Sequence, residues 1–220
     1  MKILAAADIH GQWPVYEWLL ATAREQRVEA IVLAGDLLSG AEGFDSVEES
    51  QQHEARALTS LLDSAGVPVL YLMGNDDFVE LNPTSDAVQS VHGKRVQVGR
   101  FAFVGYQYSL PWMGGIFEKP EAGIEGDLDG LAGYVDSDTI FVSHSPAFGI
   151  LDGPHTIGSR ALLRFLQTTG FRAHIHGHCH YGFGRYEKHF NVASAGHHRG
   201  MIIDLETLDC RELYYQSRTP

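Results

Sequence analysis

Four histidines crowd into the seven positions 174–180, HIHGHCH. Neutral imidazoles compete for donors and charged ones repel, so such a run points to a metal, to proton-transfer chemistry or to coincidence in a loop. The choice depends on partners elsewhere in the chain. Residues of ligating type follow one apolar segment after another: Asp8-Ile9-His10, Gly35-Asp36, Gly74-Asn75-Asp76-Asp77, Ser143-His144 and Gly177-His178-Cys179-His180. Mixed carboxylate, amide and imidazole donors suit borderline or hard divalent cations. Mn²⁺ comes first, with Fe, Zn or Ni as alternatives, and soft thiophilic ions are disfavoured. The set Asp8, His10, Asp36, Asn75, His144, His178 and His180 exceeds the coordination of one ion and suits two. Two ions roughly 3.5–4 Å apart clamp an in-line displacement at phosphorus.

These residues need elements that gather them. Residues 2–7, 30–36 and 68–76 read as buried strands, separated by helical periodicity at 13–26 and 50–66, the second closed by Gly66. Strand and helix alternating at this spacing predicts parallel βαβ units. The second half is strand-rich: a hairpin at 94–106 turning at Gly99-Arg100, a strand at 139–145, a helix at 159–170 capped by Ser159, then strands and hairpins over 172–177, 182–194 and 198–215. The carboxyl ends of parallel strands share one sheet edge, where ligands bind. Alternation along an extended chain would turn Asp8 and His10 to one centre, and likewise His178 and His180.

The chain has 220 residues, 44% of them hydrophobic, with no low-complexity linker and no internal repeat, which fits one two-layered domain over 1–220. Its net charge of −12 and lack of a basic stripe argue against a nucleic-acid partner. Two unpaired-looking cysteines, Cys179 and Cys210, favour a reducing cytoplasm over a disulfide framework. No stretch is long and apolar enough for a membrane span, and the apolar N-terminus is too short for a signal segment. Two loops stand out: 39–49, rich in glycine and acids, and 105–120, which carries Tyr106, Tyr108, Trp112, Met113 and Phe117. The second either folds onto the core or walls the active site.

Taken in order, Asp8-x-His10, Gly35-Asp36, Gly74-Asn75-x-Asp77, His144 and Gly177-His178-x-His180 resemble the calcineurin-like metallophosphoesterases. SHSPAFGILDG (143–153), GSRALLRFL (158–166) and FNVAS (190–194) resemble its small phosphodiesterase-type members. The resemblance implies an α/β fold (α+β by some schemes), a four-layer α-β-β-α sandwich of two mixed sheets with the metal site at the C-terminal edge of the strands. It implies that Asp8, His10 and His180 hold one ion, that Asn75, His144 and His178 hold the other, and that Asp36 bridges. The reaction implied is phosphoester hydrolysis by a metal-bridging hydroxide, with Asp36, Asn75, Asp76 and His144 next to the reacting groups. The glycines at 35, 74 and 177 would let the backbone turn so that the next side chain reaches inward.

The chain departs from the family at position 76, where most members carry a histidine and this sequence has Asp76. An ionised carboxylate donates no proton and adds negative charge beside the phosphate. A dianionic monoester suffers more from that charge than a monoanionic diester, which favours a phosphodiesterase. The alternatives are a phosphomonoesterase acting on nucleotides or small phosphorylated metabolites, and a weakly active scaffold. The expected partner is a small phosphate ester, a nucleotide among the options, and hairpin 182–194 is compatible with a homodimer.

Other residues carry weaker expectations. His174 and His176 are expected to pack inside the sheet, with a supporting role for the ligands as the alternative. Cys179 should point away from its ligating neighbours. Asp152 is either a turn residue or a support for the ligands. Arg160 and Arg199 are expected on helix surfaces, with a phosphate contact as the alternative. His197 and His198 lie in a loop that either approaches the site or faces solvent. His53, His92, His155 and His189 have no motif context and are taken as surface or packing residues.

Overall fold

A computed structural model of the chain describes residues 1–40, 43–194 and 196–216. Positions 41 and 42 of the acidic loop, 195, and 217–220 of the expected domain lie outside the described residues.

The first βαβ units form as expected. Strand β1 (Lys2–Ala6) is followed by helix α1 (Trp13–Gln26), β2 (Ala30–Ala34), α2 (Val47–Asp63), β3 (Val69–Leu72) and the short β4 (Val88–Ser90). Strands β1 to β4 run parallel side by side. The second half contributes β5 (Arg95–Val98), β6 (Phe101–Tyr106), α3 (Glu121–Leu131), β7 (Thr139–Ser143), α4 (Arg160–Thr168), β8 (Ala173–His176), β9 (Gly184–Tyr186), β10 (His189–Asn191), β11 (Arg199–Asp204) and β12 (Cys210–Tyr214). Two six-stranded mixed sheets result, in the orders β12-β11-β1-β2-β3-β4 and β5-β6-β7-β8-β10-β9.

Period-two alternation distributes the side chains among three cores. Leu4, Ile31 and Leu33 turn outward to Tyr16, Leu19, Leu58 and Leu62 of α1 and α2. Ile3, Val32 and Leu70 turn inward and meet Phe103, Ile140, Val142 and Ile175 of the other sheet. The outer face of that sheet packs Val104 and Phe141 against Ile124, Leu128, Leu162 and Phe165 of α3 and α4. The layers are therefore α-β-β-α, not the two layers that the residues alone suggest. Strands buried on both faces read as continuous apolar runs, which is why they were legible.

Three elements depart from the sequence reading, the first being β4 (Val88–Ser90), where no strand was expected. Helix α3 sits where none was expected, because Gly123, Gly126 and Gly130 mask its apolar face of Ile124, Leu128 and Leu131. Helix α2 starts at Val47 rather than 50. Ser46 caps it by accepting the Glu49 N–H at 3.1 Å, and Glu48 and Glu49 put acidic charge at its positive end. Ser159 caps α4 as expected, accepting the Leu162 N–H at 3.1 Å. The Glu121 carboxylate accepts the N–H groups of Arg160 and Ala161 and so ties α3 to that cap. Among the described residues no helix is long and apolar enough to cross a membrane.

Candidate metal centre

Strands β1, β2 and β3 of one sheet and β7 and β8 of the other end at the same end of the sandwich, and the candidate ligating residues lie just beyond those ends. Asp8, His10 and His180 bring one ligand atom each to within 4.8 Å of one another, and so do Asp36, His144 and His178. His180 Nε2 lies 3.3 Å from Asp8 Oδ1, and His144 Nε2 lies 3.4 Å from Asp36 Oδ2. Asn75 Oδ1 is 3.0 Å from His144 Nε2, which puts the amide with the second group. Of the expected site residues, only Asp76 falls outside these clusters: its Oδ2 pairs with His10 Nδ1 at 3.1 Å.

The local backbone differs from the extended geometry expected for Asp8-x-His10 and His178-x-His180. Asp8, His10, Asp36 and His178 adopt left-handed φ of 54°, 48°, 51° and 66°. Asp and His visit this region more readily than most residues, yet each such residue costs about 1–3 kcal/mol. The surrounding hydrogen bonds hold them there. The backbone N–H of Asp8 donates to Gly35 O at 2.9 Å and that of His10 to Asp36 O at 3.0 Å. The His178 N–H reaches both Asp8 carboxylate oxygens at 3.0 Å, and Asp76 N–H reaches Asp36 Oδ1 at 2.8 Å.

The glycines act differently from expectation at two of three places. Gly35 does take a left-handed turn, φ 94°. Gly74 and Gly177 have no positive φ and are needed for close approach. A Cβ at 74 would fall 2.5 Å from Asp36 N, and one at 177 would fall 2.5 Å from Asp8 Oδ2.

The donor set fits divalent cations. His144 Nδ1 meets the Ala34 carbonyl at 2.9 Å, which leaves Nε2 aimed at the oxygens of Asp36 and Asn75. Three electron-rich atoms at that spacing call for a proton or a cation among them. With protons alone, burial pulls the His144 imidazole down, but the Asp36 carboxylate outweighs it and raises its pKa to about 10. Burial also opposes the charge on His10, which Asp76, Asp36 and Asp8 together raise to about 9. Burial and the neighbouring His144 lower His178 to about 4, leaving a neutral ligand. Burial works against the Asp36 charge too, but His144 and His10 hold its carboxyl well below the usual range. Cations binding here would displace the His10 and His144 protons.

Several residues support the candidate ligands from behind. Asp77, completely buried, accepts N–H bonds from Leu37 at 2.9 Å, Leu38 at 2.8 Å and Gly74 at 2.8 Å, and so fastens the Asp36 and Asn75 loops together. Burial and the Asp36 charge raise its pKa to about 7. Gln51 of α2 donates to Asp76 O at 2.8 Å and accepts Phe78 N–H at 2.6 Å. Arg199 contacts backbone rather than a helix surface: it donates to Ala193 O and to His180 O, both at 2.9 Å, over the Phe183 ring. Asn191 donates to Cys179 O at 2.9 Å. Arg160 stays on the helix surface, its guanidinium over the Phe148 ring.

The remaining histidines divide. His174 is buried between Ser143 Oγ at 2.8 Å and His189 Nδ1 at 3.1 Å, and it stacks on His176. His189 belongs to that buried cluster rather than to the surface. His197 and His198 line neither ligand group nor the cleft above them. Cys179 is absent from both ligand groups and packs against Gly153. Asp152 is a turn residue, its carboxylate accepting the Gly149 N–H at 2.8 Å. His155 and Tyr181 line the cleft; nothing in their sequence context marks them. The two readings of loop 105–120 divide it: Tyr106 and Phe117 are buried in the core, while Trp112 and Met113 line the cleft.

A family model of the calcineurin-like phosphoesterases matches residues 1–182. The chain belongs to this family. It is a family of hydrolases acting on phosphate esters with divalent metal ions, and the two ligand groups of the chain agree with that. Among solved structures, TT1561 of Thermus thermophilus is 17% identical with a TM-score of 0.75, over 97% of this chain and 98% of that one. A dimetal phosphatase from Danio rerio is 13% identical with a TM-score of 0.64, over 98% and 99%. At these identities the likeness carries the α-β-β-α fold. No curated protein matches the sequence.

Proposed function

We propose that this calcineurin-like phosphoesterase holds two divalent ions, Mn²⁺ first among them, and hydrolyses small phosphodiesters in the cytoplasm. The observation that carries this reading is the pair of ligand triads where strand ends of the two sheets meet, Asp8-His10-His180 and Asp36-His144-His178, with Asn75 beside the second. Asp8, His10 and His180 would hold one ion and Asn75, His144 and His178 the other, with Asp36 shared. Bound there, the ions would polarise the phosphoryl oxygens and generate a water-derived nucleophile near neutral pH.

The chain's own residues set the rest. Asp76 fixes the His10 ring through its 3.1 Å contact and leaves a carboxylate facing the cleft. Two ions set against Asp8 and Asp36 would leave roughly two positive charges, and Asp76 lowers that toward one. A monoanionic diester tolerates this better than a dianionic monoester. The alternative, a phosphomonoesterase, is favoured by the name of the Danio rerio structure of like fold, a dimetal phosphatase. Assay of the Mn²⁺-loaded chain on bis(p-nitrophenyl) phosphate and p-nitrophenyl phosphate decides between them. The diester should be preferred, and Asp36→Ala should abolish turnover of both. A large monoester preference would replace this reading with the alternative, and two bound ions without turnover would favour a scaffold.

A further inference from the structure

The cleft over the two ligand groups has a volume of about 330 Å³, and its lining divides by chemistry. His10, Asp36, Asn75, His178 and His180 of the ligand groups are among its lining residues. Trp112, Met113, Ile157 and Tyr181 add apolar and aromatic surface. Trp112 is 74% exposed and Tyr181 84%, so both rings leave most of their surface in water. Exposed aromatic surface next to a charged centre contributes little to folding and is suited to a ligand.

Part of this aromatic surface is carried on a loop seated against the candidate metal centre. The N–H groups of Met113 and Gly114 donate to the Glu118 carboxylate at 2.8 and 2.9 Å. Gly115 approaches Asn75 so closely that a Cβ there would lie 2.5 Å from its carbonyl oxygen. The loop that carries Trp112 therefore rests on the backbone of a candidate ligand. Tyr181 directly follows His180.

Charge narrows the choice further. Among the described residues no lysine or arginine lines the cleft, while Asp36, Asp76 and Asp152 do. Nothing beyond the metal positions would neutralise a second phosphate, whereas flat apolar surface is in supply.

We infer that the cleft takes a single-phosphorus ester bearing a flat aromatic group, aryl or nucleobase, which lies against Trp112 and Tyr181. The inference rests on the phosphoesterase reading above and adds the class of substrate.

The test is calorimetric titration of the Mn²⁺-loaded chain with phenylphosphonate and methylphosphonate, which are not hydrolysed. Phenylphosphonate should bind about tenfold tighter or more, the range expected for ring stacking. Trp112→Ala or Tyr181→Ala should bring the ratio close to one, and Trp112→Phe should retain most of it. Thymidine 5′-monophosphate separates the sources. Affinity matching phenylphosphonate supports a nucleobase, and affinity matching methylphosphonate, with the phenyl preference intact, supports an aryl group. Equal binding of the two phosphonates, or a preference that survives both alanine variants, would overturn the inference while leaving the phosphoesterase reading intact. Absence of both phosphonate binding and methyl p-nitrophenyl phosphate hydrolysis would instead overturn that reading, and this inference with it.

Discussion

Asp76 holds His10: the carboxylate of the one lies 3.1 Å from Nδ1 of the other. The pair has two effects, orientation of a ligand ring and negative charge at the cleft. Asp76→Asn keeps an acceptor for His10 and removes the charge. Overall turnover should fall, and the ratio of diester to monoester kcat/KM should drop several-fold. Asp76→His should shift it further toward the monoester. Measured ratios unchanged in both variants would contradict the charge argument.

The glycines before the ligands give a sharper structural prediction. Gly74→Ala would press a methyl group onto Asp36 and His144, at a cost of about 1–3 kcal/mol and with loss of activity. Gly126→Ala, on the exposed face of α3 with nothing within 4 Å, should instead stabilise by about 0.5–1 kcal/mol. Thermal unfolding of the two variants should move Tm in opposite directions. A neutral Gly74→Ala would show that the ligand loops are looser than described.

Asp77 is the joint between two ligand loops. Asp77→Ala strands three buried N–H groups, of Leu37, Leu38 and Gly74, and should cost about 3 kcal/mol or more. Asp77→Asn retains an acceptor and should recover part of this. Denaturant midpoints compare them, and a loss below about 1 kcal/mol for alanine would contradict this role.

The buried histidine cluster predicts an acid-side loss of stability. Burial and the other histidines push His174 well below the ordinary imidazole value, and burial with Lys188 lowers His189 to about 4. Below about pH 6.5 the unfolded chain takes up protons on these residues that the folded chain does not. The stabilisation that these two histidines contribute is therefore complete above pH 6.5 and falls as pH drops from there toward 4, while Asp77, raised to about 7, works in the opposite direction over the same window. Each such histidine adds a slope of about 1.4 kcal/mol per pH unit. His189→Gln preserves a donor for His174 and removes one titrating group. Unfolding at pH 7 and pH 5 should show a smaller drop for the variant, and an equal drop would count against the cluster as the cause.

How much of this was legible in the sequence follows from where pattern exists. The apolar runs at 2–7, 30–36 and 68–76 are buried on both faces, so they announce strands, and the polar residues that end them point to the candidate site. Asp8 and His10 come together, but through left-handed backbone at both rather than along an extended strand, and no local rule foretells that. Gly74 and Gly177 looked like turns and prove to be points of close approach, a property of the neighbouring loops. Helix α3 was hidden because its glycines dilute a correct apolar spacing. Asp77 has no role that its motif reveals, since its partners Leu37 and Leu38 lie some forty residues away. His155 and Tyr181 reach the cleft on loops, where side-chain periodicity carries no information.

The central claim is that seven side chains hold a pair of cations, and anomalous scattering from crystals grown with Mn²⁺ tests it most directly. Two peaks roughly 3.5–4 Å apart are predicted. One should lie among Asp8, His10 and His180, the other among Asn75, His144 and His178, with Asp36 touching both. A single peak, or peaks away from these residues, would contradict it.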